Sequence, residues 1–123
     1  MTVQELYEAV GGSYESAKRV LPSDALIGKF ILKFLNDASF GKLEAAWAAR
    51  DAAGTFEGAH ALKGVCANLG LNALSAAASE LAEEFRPGSA RALEDAEVER
   101  RMDALREAYA RTLDGIRAFA GAQ

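Results

Sequence analysis

A single histidine, His60, occurs in the 123 residues, and the residue types around it decide what chemistry it can support. It stands in the run Phe56 to Gly70, FEGAHALKGVCANLG. Wound as a helix at about 100° per residue, Leu62, Val65, Cys66 and Leu69 fall on one side with Ala59 at its margin, an apolar stripe suited to burial. His60, Lys63, Gly64 and Ala67 fall together on another side. His60 is therefore predicted at the outer surface, with Lys63 one turn along. Gly64 in mid-helix costs up to ~1 kcal/mol relative to Ala, and it leaves room beside the imidazole. Ala67 extends that low floor by a further turn.

Phosphoryl transfer suits this set. An unperturbed imidazole has a pKa of about 6.5, so its neutral, nucleophilic form is abundant at neutral pH. A ring nitrogen can attack phosphorus and hold it as a phosphoramidate. The transferred group is anionic, and an ammonium placed as in Lys63 helps both transfer and storage. Other uses fit less well. Nothing marks the nucleophile and orienting acid of a triad. A zinc site wants three or four His, Cys or acidic ligands, and one His and one Cys on different helix faces do not supply them. On residue chemistry alone, a surface histidine with no role fits as well as a phosphoacceptor.

The elements that must position His60 read as helices. Apolar residues recur at helical spacing along nearly the whole chain, and no alternating β-branched run argues for a sheet. A short helix from Thr2 to Val10 opens on the capping-box spacing of Thr2 and Glu5 and ends at Gly11-Gly12. A second covers about Ser13 to Val20. Ser23 caps a helix to about Asp37, with Leu26, Ile27, Phe30, Ile31, Phe34 and Leu35 as a broad core stripe. The next runs from near Ser39 to about Ala52, burying Phe40, Leu43, Ala46 and Trp47, and Gly54 breaks it. Thr55 is the expected N-cap of the His60 helix, and Gly70 its C-cap. Asn72 starts a helix with Leu74, Ala77, Ala78, Leu81 and Phe85 inward, closed by Arg86-Pro87-Gly88-Ser89. The last helix, from about Arg91 or later to about Ala120, carries Val98, Met102, Leu105, Tyr109, Leu113, Ile116 and Phe119 on one line. The expected fold is all-α: an up-and-down antiparallel four-helix bundle with one or two short N-terminal helices. It forms one domain over residues 1–123, with the core bundle at about 23–120.

Charge and composition exclude several functions. A net charge of −4, from 14 basic and 18 acidic residues, gives no footprint for nucleic acid or for an anionic membrane surface. The one cysteine, Cys66, rules out an internal disulfide; beyond packing, its role is open. The start of the chain does not read as a signal peptide, and no stretch approaches the ~20 apolar residues that span a bilayer. The expectation is a soluble cytoplasmic protein. It is expected to be monomeric, because no apolar face is left over once the bundle forms, and stand-alone, given its Met1 start and complete bundle.

The run Ala59-His60-Ala61-Leu62-Lys63-Gly64, followed by Ala67-Asn68-Leu69-Gly70, resembles the motif of histidine-containing phosphotransfer (HPt) domains, roughly AHxLKGxxxNLG. All the fixed positions occur in register. The resemblance extends upstream through the apolar helix and the Trp47 helix. Downstream it takes in Asn72-Ala73-Leu74, Ser79-Glu80-Leu81 and the long closing helix. It implies a phosphorelay intermediate of two-component signalling, a phosphocarrier without catalytic turnover of its own. His60 would exchange a phosphoryl group with the aspartate of a response-regulator receiver domain, upstream of which stands a hybrid or sensor histidine kinase. Lys63 would assist by charge, and Gly64 would keep the approach open. No cofactor is implied on this chain, since Mg²⁺ belongs to the receiver. The sequence has no Gly-rich phosphate loop or paired acidic metal site of its own.

Two departures from the family pattern matter. Val65 stands where many members have a small residue, and Ala82 where some carry a Gln that hydrogen-bonds the histidine. The hydrogen-bond partner and tautomer of His60 are therefore open. Partner contact is expected at Phe56 and Ala67. Phe56 lies one turn before His60, between the core stripe and the outer face, a place that favours core packing over partner contact. Phe30, Ile27 and Phe34 are candidates for the rim of the contact. A helical adaptor that binds a signalling partner without carrying phosphate is the alternative function. A ligand-binding bundle is a third, opposed by the density of Leu and Phe.

Overall fold

The computed structural model describes residues 1–122. Among them are seven α-helices and no strand: α1 (Val3–Val10), α2 (Tyr14–Val20), α3 (Asp24–Lys33), α4 (Ser39–Ala48), α5 (Ala52–Asn68), α6 (Asn72–Glu84) and α7 (Asp95–Gly121), with a 3₁₀ turn (Phe34–Asn36) between α3 and α4. The all-α bundle agrees with the sequence pattern. Both halves of the Thr2–Glu5 capping box form, at 2.8 and 3.0 Å. Ser13 and Ser23 cap α2 and α3, accepting from the N–H groups of Ser16 and Leu26 at 3.1 and 3.2 Å.

The entry to α5 differs from the sequence reading. The break falls before Gly54, and Thr55 is not the cap. α4 ends at Ala48, Arg50 takes a left-handed backbone (φ 52°), and Asp51 caps α5 by accepting from Gly54 N–H at 3.0 Å. The carboxylate explains the glycine: a Cβ at Gly54 would lie 2.5 Å from Asp51 Oδ2. Arg50 is held in place because its guanidinium sits 3.7 Å from the Trp47 ring centroid and donates to the Trp47 carbonyl at 2.5 Å. Thr55 is buried one turn into the helix, its hydroxyl donating back to the Asp51 carbonyl at 2.8 Å.

α4, α5, α6 and α7 form an antiparallel ring. α4 and α5 touch at Gly58, where a Cβ would lie 2.7 Å from the Leu43 backbone. α5 turns into α6 at Gly70, whose φ of +70° and close packing on Ser13 both require glycine. The α6–α7 connection is organised by buried Glu84, which accepts from Arg91 Nε at 2.7 Å and from the N–H groups of Leu93 and Ala92 at 2.9 and 3.3 Å. Burial works against the Glu84 charge, but these hydrogen bonds outweigh it and hold the carboxyl below its ordinary range. The ring closes where Trp47 Nε1 donates to Glu99 at 2.5 Å and Arg106 Nη2 to Glu44 at 2.8 Å. Leu43, Trp47, Leu62, Leu74, Leu81, Met102 and Leu105 fill the interior.

The N-terminal helices clamp the far end of α5. The Tyr7 hydroxyl donates to the Leu69 carbonyl, and Ser13 N–H donates to the Gly70 carbonyl at 2.8 Å. Gly115 of α7 admits Val10, because a Cβ there would lie 2.4 Å from the valine side chain. No helix among the described residues is long and apolar enough to cross a membrane.

Candidate functional site

α5 presents its outer face as the wheel predicts. His60, Gly64, Ala67 and Asn68 are exposed, Lys63 is half-buried, and Ala59, Leu62 and Cys66 are buried. Val65 is only half-buried. The structure thus brings His60, Lys63, Gly64 and Ala67 to one surface. A Cβ added at Gly64 would meet nothing within 4 Å, so packing does not demand glycine there. α6 steadies the helix, Ser75 Oγ donating to the Lys63 carbonyl at 3.1 Å. The Lys63 ammonium forms no ion pair with any described residue. Glu83 feels its charge: that carboxyl lies below its ordinary range chiefly through the hydrogen bond from Arg86, with Lys63 adding a smaller pull.

The His60 imidazole has no hydrogen-bond partner among the described residues. Ala82, which stands where the family resemblance implies a glutamine in some members, is 3% exposed and offers no polar side-chain atom. What touches the ring is Phe56. The two rings stack with centroids 5.4 Å apart and planes 18° from parallel. Phe56 is itself half-buried and packed against the core. The i, i+4 spacing was the available signal for this contact.

Beside this face the surface is more apolar than the wheel of α3 suggested. Leu26, read from the sequence as core, and Phe30, read both as core and as a rim candidate, are each 38% exposed, and Val20 is 52% exposed. Ile27 and Phe34 are core residues with almost no exposure, as the core stripe implies and contrary to a place at the rim. The apolar stripe of α3 is wider than the surface the bundle offers to cover it, and the surplus faces outward. A groove of about 350 Å³ results, walled by Val20, Leu21, Phe30 and Phe34 on one side and by Val65 and Asn68 of α5 on the other. Its α5 wall, Val65 and Asn68, consists of the chain neighbours of Gly64 and Ala67. Lys33 stands over the Phe30 ring at 5.0 Å, placing a positive charge at the groove.

Cys66 is not part of this face. Burial first, and the charge of Asp37 second, push its thiol up to about 12, so it stays protonated and unreactive. No three His, Cys, Asp or Glu side chains among the described residues gather as a metal site.

Among known families, the chain matches the Hpt domain over residues 35–115. The chain belongs to that family. Hpt domains are phosphocarrier modules of two-component and phosphorelay signalling, and this chain is a histidine phosphotransfer module of that kind. Comparison with curated proteins gives no match, and comparison with solved structures gives none. The match covers α4, α5, α6 and most of α7, and leaves out α1, α2 and α3. Most of one wall of the groove therefore comes from outside the matched segment.

Proposed function

We propose that His60 carries the phosphoryl group and exchanges it with the aspartate of a response-regulator receiver domain. One observation carries this reading: the chain's lone imidazole stands exposed on a helix face shared with an unpaired ammonium, over a floor of Gly64 and Ala67 that no neighbour fills. In the step, a ring nitrogen of His60 uses its lone pair to form the N–P bond. The P–O bond to the aspartyl carboxylate breaks, and its electron pair stays on the carboxylate. The other ring nitrogen keeps its proton. Lys63 offsets the charge of the peripheral phosphoryl oxygens, Gly64 lets the aspartate approach in line, and Ala67 keeps the floor low beyond it.

The receiver docks over the His60 face and the adjoining groove, burying Phe30, Leu26 and Val20, an apolar patch of the sort that marks a protein contact. The Mg²⁺ of the reaction belongs to the receiver, and the chain itself needs no cofactor. A hybrid or sensor histidine kinase stands upstream. The chain acts as one phosphocarrier unit, monomeric and in the cytoplasm, with no turnover of its own.

Incubation with a panel of phosphorylated receiver domains tests this. At least one receiver should transfer label to the chain, and the label should be acid-labile, stable to base and returnable to that receiver. Lys63→Ala should slow the transfer and leave the helical content unchanged. Label that is acid-stable, or that arrives equally fast without Lys63, contradicts the proposal.

A further inference from the structure

We infer that Phe56 is a positioning residue for phosphoryl transfer: its ring fixes the plane of the His60 imidazole and favours that ring as it becomes positively charged. The inference rests on His60 being the phosphoacceptor and concerns what holds it ready.

Side chains on a helix lean toward its N-terminus, so His60 falls back on the residue four positions earlier. That residue is Phe56, and the rings stack nearly parallel at 5.4 Å. The imidazole has no second ring stacked on it among the described residues. No described residue hydrogen-bonds it, and buried Ala82 cannot. An exposed histidine without a partner exchanges rotamers within nanoseconds. Phe56 is anchored in the core at its base, so it offers a fixed plate against which one arrangement of His60 is preferred. Parallel stacking covers a face of the imidazole and leaves its edge free. Both nitrogens lie on that edge, so the stack restrains the nucleophile without obstructing it, and a restrained nucleophile needs less reorganisation to react.

The stack also acts on charge. The neutral imidazole forms the N–P bond with a lone pair and keeps a proton on its other nitrogen, so the product ring is an N-phosphoimidazolium. Positive charge develops in the ring as the bond forms. The π face of phenylalanine attracts a cation more than a neutral ring, so the interaction grows along the reaction and favours transfer. Leucine at position 56 would fill similar space without that face.

Because the chain has one histidine, its ring resonances are assigned without ambiguity. The test uses the full chain and phosphoramidate, a small donor whose P–N bond breaks with loss of ammonia as the imidazole attacks. In the wild type, the His60 ring protons should be displaced upfield by the neighbouring aromatic ring and show cross-relaxation to Phe56. Phe56→Leu should lose the displacement and take up phosphoryl about 2- to 5-fold more slowly. Phe56→Tyr should retain both the displacement and the rate. Rescue by tyrosine separates positioning from bulk packing. Absence of His60–Phe56 cross-relaxation in the wild type overturns the inference and needs no variant to fold. Equal rates for wild type and Phe56→Leu, or equal slowing by Leu and Tyr, overturn it as well. In those cases the wild type still accepts phosphoryl on His60, whereas a wild type that takes none overturns the phosphoacceptor reading and this inference together.

Discussion

Gly58 and Gly64 lie on the same helix, and an added methyl would meet opposite surroundings at each. At Gly58 it would press to 2.7 Å from the Leu43 backbone, while at Gly64 it would meet nothing within 4 Å. Both glycines cost α5 intrinsic helix stability. Only the first returns it, by letting α4 and α5 approach closely. The second is unexplained by the folded chain alone and makes sense as clearance for a partner beside His60. The inner face of α5 is thus set by packing within the chain, whereas the outer face is left open, as the proposed approach of a receiver requires.

Substitutions on the two faces sharpen or break this contrast. The largest effect belongs to the inner face: Leu62→Ala, at a fully buried site, should lower unfolding free energy by about 2–5 kcal/mol in urea titration. The folded fraction should still accept phosphoryl. Gly58→Ala should cost about 1–3 kcal/mol, because backbone rather than a flexible side chain must give way. The same change at Gly64 should raise stability by about 0.5–1 kcal/mol while slowing transfer from a receiver. A Gly64→Ala protein that is destabilised, or that transfers at the wild-type rate, breaks the contrast.

A smaller effect is expected far from the site, at Glu84. Its carboxyl titrates below the ordinary value of 4.5 when folded, so the unfolded chain binds the proton more readily. Its stabilisation is fully present above pH 4.5 and is lost as pH falls through the lower folded value. Wild type should therefore lose stability more steeply on acidification below that pH than Glu84→Gln does, with phosphoryl transfer at neutral pH the same in both. Parallel acid profiles would remove Glu84 from the account of the α6–α7 connection.

Much of this was legible in the sequence because it is local. Thr2, Ser13 and Ser23 declare helix starts through side-chain oxygens that reach N–H groups three residues on. The outer face of α5 follows from angular spacing alone. What escaped depends on tertiary fit. Gly54 looked like a breaker because glycine often is one, yet here it sits inside α5 to admit the Asp51 cap. The stripe of α3 places Leu26, Ile27, Phe30 and Phe34 alike on a core face and gives no sign of which of them the bundle covers: Ile27 and Phe34 are buried, whereas Leu26 and Phe30 stay exposed. The clamp from Tyr7 to Leu69 joins residues 62 apart, beyond any periodicity. Phe56 was visible as a neighbour of His60, but its stacking depends on side-chain orientation that spacing does not fix.

Substitution of the histidine itself tests the central claim most directly. Wild type and His60→Gln are incubated with a phosphorylated receiver and read by intact mass, with thermal unfolding followed in parallel. The wild type should gain one phosphoryl group and His60→Gln none, while the two unfold within a few degrees of each other, since surface changes of this kind shift stability by about 0.5 kcal/mol or less. A His60→Gln protein that still gains the group would contradict the account.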